Sequence, residues 1–279
     1  MPTPDNIEFI TRYTEDLFDA LTENFNKCKD EANITSVHDC RVSLRRLMAL
    51  IDVLSCLHPD EKKTLATSKK ALKKLQKRFS PVRDIHVSEK YIIDNIASLC
   101  DSKSYLEWLA SEADIIEEKL INDLNQAKFS KYSLIRDKMI RLFLGITSEA
   151  ALTKTLYATL DDVFLEAIER LEKLDLNNIE TFHSVRISLK RFRYTLEIVN
   201  LIDSAYKSSL DDLKRLQDYL GEIQDLTVLK NALMNCSPAL KHEFEYDCML
   251  GIMNERLSFL TNRFYTQRYE VLKLWEIKI

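Results

Sequence analysis

The chain has 279 residues with only three glycines and five prolines, too little turn punctuation for a strand-rich fold. Its 46 % hydrophobic and 30 % charged residues suit long surface helices around a core. A formal net charge of −4 argues against a diffusely basic nucleic-acid binder, and no apolar run approaches the ~18 residues of a membrane span.

In chain order, apolar periodicity predicts helices over 5–29, 35–57, 60–79, 84–100 and 102–127, then a connecting helix over 130–145 ending at Gly145. A second set follows at 149–174, 180–203, 206–221, 223–235 and 238–260, with a terminal helix over 263–277. Ser80-Pro81, Gly221 and Pro238 read as stops. The N-terminal segment has neither a basic stretch nor an apolar one of signal-peptide type. The six cysteines (Cys28, Cys40, Cys56, Cys100, Cys236, Cys248) form no C-x-x-C pair, which fits reduced thiols in a cytoplasmic protein. His58, His86 and His242 are isolated and read as surface or cap residues.

The second helix of each set carries the same pattern. Residues 37–54 read VHDCRVSLRRLMALIDVL and residues 182–199 read FHSVRISLKRFRYTLEIV. His38 matches His183, Arg41 matches Arg186, Arg45 matches Lys190 and Arg46 matches Arg191. At about 100° per residue, His38, Arg41 and Arg45 share one face, as do His183, Arg186, Lys190 and Arg193. Cys40, Leu44, Leu47, Ile51 and Leu54 lie opposite, toward a core. Arg46 and Arg191 fall at the flank, and Arg193 and Glu197 are spaced to pair with each other. Solvation alone explains one cationic helix face. It does not require the histidine or the shared register, and an internal repeat of this kind points to two copies of one structural unit.

A second pair of segments, LKKLQKRFSPVRDI at 72–85 and LKRLQDYLGEIQDL at 213–226, matches Leu72, Leu75, Gln76 and Asp84 with Leu213, Leu216, Gln217 and Asp225. The first copy presents Lys70, Lys73, Lys74 and Lys77 on one face, with Arg78 beside them and Arg83 in the turn. The second keeps only Lys214 and Arg215, with Asp211, Asp218 and Tyr219 in place of Lys70, Lys77 and Arg78. Asp84 and Asp225 read as helix N-caps, with orientation of a cation as the alternative. These basic residues are the candidate anion-binding set, because Arg forks two donors onto phosphate oxygens while Lys acts as a mobile point charge.

With H-x-x-R-[VI]-x-x-[KR]-R occurring twice, each time followed by an L-x-x-L-Q segment and a turn ending in Asp, the chain resembles the CHAD family, the conserved histidine α-helical domain, over nearly its whole length. The resemblance implies an all-α fold of two related helical bundles, here 1–146 and 147–279 of a single domain, around a basic central cavity. It also implies binding of inorganic polyphosphate and association with polyphosphate granules. The chain departs from the family in having Met48 where Arg193 stands in the second copy, and in the thinned basic face of its second L-x-x-L-Q helix. It lacks E-x-E-x-K, G-x-x-x-x-G-K-[ST] and H-E-x-x-H. The expectation is therefore a non-catalytic binder with no metal and no cofactor, and with neither specific nucleic acid nor membrane as partner. An enzyme acting on polyphosphate or another phosphorylated substrate, and a helical adaptor for nucleic acid or an acidic protein, are the competing readings.

Overall fold

The computed structural model describes residues 6–242 and 244–277. Residue 5 of the first expected helix and residue 243 of the one at 238–260 lie outside them. Among the described residues all regular structure is helical. α1 (Asn6–Asp30) and α2 (Ile34–Leu57) form a hairpin, followed by α3 (Lys62–Arg78), α4 (Ser80–Asn95), α5 (Lys103–Asn125) and α6 (Ser130–Leu144). α7 (Glu149–Glu172) and α8 (Ile179–Ile202) form a second hairpin, followed by α9 (Lys207–Asn235), the single turn α10 (Pro238–Lys241) and α11 (Tyr246–Gln267). A 3-10 segment, Arg268–Lys273, packs against α7 and α11.

The apolar stripes of the two motif helices face inward as their periodicity predicts. Cys40, Leu44, Leu47, Ile51 and Leu54 of α2 are buried, as are Leu189, Phe192, Leu196 and Val199 of α8. Burying a side chain of this size contributes roughly 1.5–3 kcal/mol, so the two helices are held firmly by one face each. α2 packs on α8, and α4 packs on α9. These four helices leave their polar faces turned toward a common centre.

Several expected boundaries change here, and the helix expected over 238–260 is divided into α10 and α11. α4 begins at Ser80, with Pro81 in its first turn, where a missing N–H costs nothing. α9 runs unbroken through Gly221, although a stop was expected there. No glycine has a positive φ, and a Cβ at Gly221 would meet nothing within 4 Å. This glycine neither turns the chain nor admits a close neighbour; the helix simply tolerates it, at about 1 kcal/mol relative to alanine. A consequence is that Asp84 and Asp225 are not N-caps, since both lie inside helices. Toward the C-terminus, α11 likewise continues through the expected gap at 261–262.

The expectation of reduced thiols holds for Cys28, Cys40, Cys56 and Cys236, but Cys100 and Cys248 form a disulfide across 148 residues of sequence. Backbone pairing of Glu245 N–H with Asp101 O at 3.1 Å brings the start of α11 beside the loop before α5. The two Cα atoms then stand 6.2 Å apart, within disulfide reach. Such a bond persists in an oxidising environment. His86, expected at the surface, is buried, with Nε2 2.6 Å from Glu117 Oε1.

Candidate functional site

Two asparagines set the register of the motif helices. Asn33 Oδ1 accepts from Ser36 N–H at 2.9 Å and starts α2, and Asn178 Oδ1 accepts from Glu180 N–H at 3.1 Å and starts α8. His38 and His183 follow their caps at the same spacing, so each stands just after the first turn, with the matched cations on successive turns behind it. The sequence carries this signal as Asn33-Ile34 and Asn178-Ile179, upstream of the histidine motif.

The two basic faces line one cavity of about 280 Å³ between α2, α4, α8 and α9. His38, Arg41, Arg45, Arg83, His183, Arg186 and Lys190 all reach it, together with Ser80, Gln224, Asp84 and Asp225. Five Arg and Lys side chains thus face two carboxylates. Among the described residues none of the five makes an ion pair within 4.0 Å. Neutral groups hold Arg41 and Arg45 instead. Arg41 Nη1 donates to Ser80 Oγ at 2.7 Å and to Gln76 O at 3.3 Å, and Arg45 Nη1 donates to Tyr194 Oη at 3.2 Å. Arg186 Nε is buried with no hydrogen-bond partner. His183 donates from Nδ1 to Gln224 Oε1, so Nε2 is the ring nitrogen left for a ligand.

The titration behaviour follows from this crowding. Burial, then repulsion from Arg45 and Arg186, pushes the Lys190 ammonium down to about 6. Arg41 is lowered to about 10 by burial and then Arg45, and so stays charged at neutral pH. Arg186 is lowered chiefly by burial. His38, at the exposed mouth, is lowered by partial loss of hydration and then by Arg83. Asp84 and Asp225 are raised because lost hydration outweighs the attraction of the cations, chiefly Arg41 and Arg186 respectively. Asp84 keeps contact with solvent, which screens its charge. Every shifted group leans toward its neutral form because lost hydration is the largest cause in each; the charge of neighbouring cations adds to it for His38, Arg41, Arg186 and Lys190 and opposes it for Asp84 and Asp225.

The flanking arginines differ. Arg46 Nε meets Glu197 at 2.8 Å and Arg193 Nε meets the same carboxylate at 3.0 Å, the latter being the pair expected from spacing. Arg191 Nε meets Asp52 at 3.3 Å and Nη1 pairs with Glu166 at 2.5 Å, while Lys69 also pairs with Asp52. Arg46–Glu197 and Arg191–Asp52 are reciprocal bridges between α2 and α8, joining positions matched by the sequence repeat. Arg46 and Arg193 line an adjoining recess of about 390 Å³. Arg191 serves the helix interface and lines neither. Substituting Arg191→Ala is expected to lower stability by up to about 1 kcal/mol and to leave anion affinity within about twofold, as read by thermal unfolding and calorimetry.

The remaining candidates lie apart. Lys70, Lys73, Lys74 and Lys77 project from the exposed side of α3, and Arg78 donates to Asp123 O at 3.2 Å. Lys214 and Arg215 are exposed on α9, the latter paired with Asp212. The glutamines of the L-x-x-L-Q segments act as fasteners: Gln217 Nε2 donates to Leu189 O at 2.9 Å, and Gln76 Nε2 lies 3.5 Å from Arg41 O.

The CHAD domain family model matches residues 12–234. The crystal structure of the CHAD domain from the plant Ricinus communis is similar to this fold, with a TM-score of 0.69 over 98 % of this chain and 93 % of that one, at 16 % identity. No curated protein sequence matches the chain. The all-α architecture and the family match over most of the sequence lead to one assignment: the chain belongs to the CHAD domain family.

Proposed function

We propose that the protein binds inorganic polyphosphate, without catalysis, in the cavity between α2, α4, α8 and α9. The observation that carries this reading is the segregation of cations. Arginines on the flank are neutralised by Glu197, Asp52 and Glu166, whereas the five cations at the cavity have no ion-pair partner among the described residues. A chain of phosphates offers dense charge and neither base edges nor apolar surface, so a recess rich in Arg and Lys is the complementary shape. Among the described residues Tyr194 is the one Phe, Tyr or Trp side chain lining the two recesses, which gives little platform for stacking nucleobases. The test is competition at near-physiological salt. Polyphosphate binding is expected to resist displacement by DNA or polyglutamate of matched total charge. Equal displacement by all three would reduce the site to a general polyanion surface.

Asp84 and Asp225 favour one second reading, since carboxylates beside bound phosphate are what metal-assisted phosphoryl transfer uses. Against it, Arg41, Arg83 and Arg186 crowd these two carboxylates and oppose a further cation beside them. Magnesium-dependent release of orthophosphate, lost on Asp225→Asn, would establish the catalytic reading.

A further inference from the structure

We propose that Cys100, Cys248 and Glu245 form a zinc site when the disulfide is reduced, so that one cluster holds a metal in one redox state and a covalent bond in the other. None of the three lines the cavity or the adjoining recess. The two sulfurs and a carboxylate oxygen of Glu245 stand within 4.8 Å of one another. Cys100 lies just before α5 and Cys248 in the first turn of α11. A disulfide needs no third group, yet a carboxylate is fixed beside this one. Glu245 N–H donates to Asp101 O at 3.1 Å, and Asp101 N–H donates back to Glu245 Oε2 at 2.9 Å. Hydrogen bonds of this kind orient metal-binding carboxylates, and the second oxygen is left as a donor to a metal.

The donor set selects the ion. Thiolates favour zinc over magnesium or calcium, and tetrahedral Zn–S bonds of about 2.3 Å set two sulfurs roughly 3.8 Å apart. With the Cα atoms 6.2 Å apart, side-chain rotation alone can reach that spacing once the bond is broken. Reduction by an external dithiol delivers two electrons and two protons to the Cys100–Cys248 bond, while the dithiol closes to its own disulfide. The two thiols then release their protons to solvent as they bind the metal. Two thiolates and the Glu245 carboxylate carry three negative charges, and Asp101 and Asp247 adjoin the cysteines in sequence, so a divalent cation relieves their repulsion. The start of the 22-residue α11 favours the Cys248 thiolate. Cys248 and Glu245 are exposed and Cys100 is buried, which gives the ion an approach from solvent and leaves water as the fourth ligand. In both redox states the loop before α5 is then tied to α11.

The experiment titrates the full chain with Co²⁺ as a spectroscopic probe, after reduction with a phosphine and exclusion of air, and then adds Zn²⁺. The reduced chain is expected to take up a single Co²⁺ with thiolate-to-cobalt charge-transfer and tetrahedral d–d bands, which Zn²⁺ abolishes by displacement. The disulfide-bonded chain should show no such bands. Glu245→Gln keeps both thiols and should bind Co²⁺ weaker by about tenfold or more, and Cys100→Ser combined with Cys248→Ser should remove the bands. Zn²⁺ should also raise the melting temperature of the reduced chain and leave that of the disulfide-bonded chain unchanged. A reduced wild-type chain without the bands would overturn the proposal, and this result needs no variant to fold. Bands that survive in the double-serine chain would assign the metal to Cys28, Cys40, Cys56 or Cys236 instead, and undiminished affinity in Glu245→Gln would remove the carboxylate; either would overturn the site as drawn.

Discussion

Replacing Lys190 by methionine is expected to raise the melting temperature and to weaken polyphosphate binding together. The side chain is largely enclosed beside Arg45 and Arg186 and is held down to about 6 by burial first and those cations second. Folding must therefore strip it of its proton at neutral pH or bury a repelled charge. Below pH about 6 both folded and unfolded chains hold the proton and the penalty is complete; it is relieved as pH rises from about 6 toward the ordinary lysine value of 10.5. Methionine keeps the aliphatic length and removes the penalty. A gain of roughly 2–6 °C in Tm corresponds to about 1–2 kcal/mol for a chain of this size. The same change removes a charge-assisted contact of about 1.5–3 kcal/mol, which is roughly ten- to hundredfold in Kd. Thermal unfolding and titration calorimetry read the two effects separately. A variant that melts lower would mean that Lys190 is stabilised by its surroundings, contrary to the crowding described here.

Polyphosphate binding should take up protons, and affinity should rise as pH falls from 8 toward 6. Lys190 and His38 are both lowered in the free protein, by burial together with Arg45 and Arg186 for the first and Arg83 for the second. Bound phosphate raises both, so each binds more protons in the complex than in the free chain. The sign follows: for each proton taken up, Kd tightens about tenfold per pH unit between the free and bound pKa values. Asp84, Asp225, Arg41 and Arg83 face the same space; lost hydration raises the two aspartates, so any uptake by them has the same sign. Calorimetry in buffers of different ionisation enthalpy counts the protons. Lys190→Met should remove most of the uptake at pH 7–8 and His38→Gln a smaller share at lower pH. Proton release on binding, or uptake unchanged in Lys190→Met, would contradict this picture.

What the sequence could reveal of the site divides along physical lines. Helical periodicity was enough to select His38, Arg41, Arg45, His183, Arg186 and Lys190, because a helix with one apolar stripe has its polar face determined. The fate of Arg46 and Arg191 was not legible. It depends on carboxylates of the opposite motif helix, Glu197 and Asp52, whose proximity arises only from packing α2 on α8. The α3 lysines illustrate the converse. They form a true cationic face, but α3 approaches the cavity through its C-terminal end, at Gln76 O, and not through that face. Asp84 and Asp225 look like caps in the sequence because Gly221 and Ser80-Pro81 look like stops, whereas α9 absorbs its glycine and α4 starts earlier than Asp84. The Cys100–Cys248 bond links positions 148 residues apart, and no local spacing announces it. The helical architecture, by contrast, was visible in the scarcity of glycine and proline and in the apolar stripes.

The most direct test of the central claim is a crystal structure of the protein with tripolyphosphate at near-physiological salt. Phosphate oxygens are expected within hydrogen-bond distance of Arg45, Arg186 and Lys190. Phosphate found only on the exposed lysines of α3, with the cavity holding none, would contradict it.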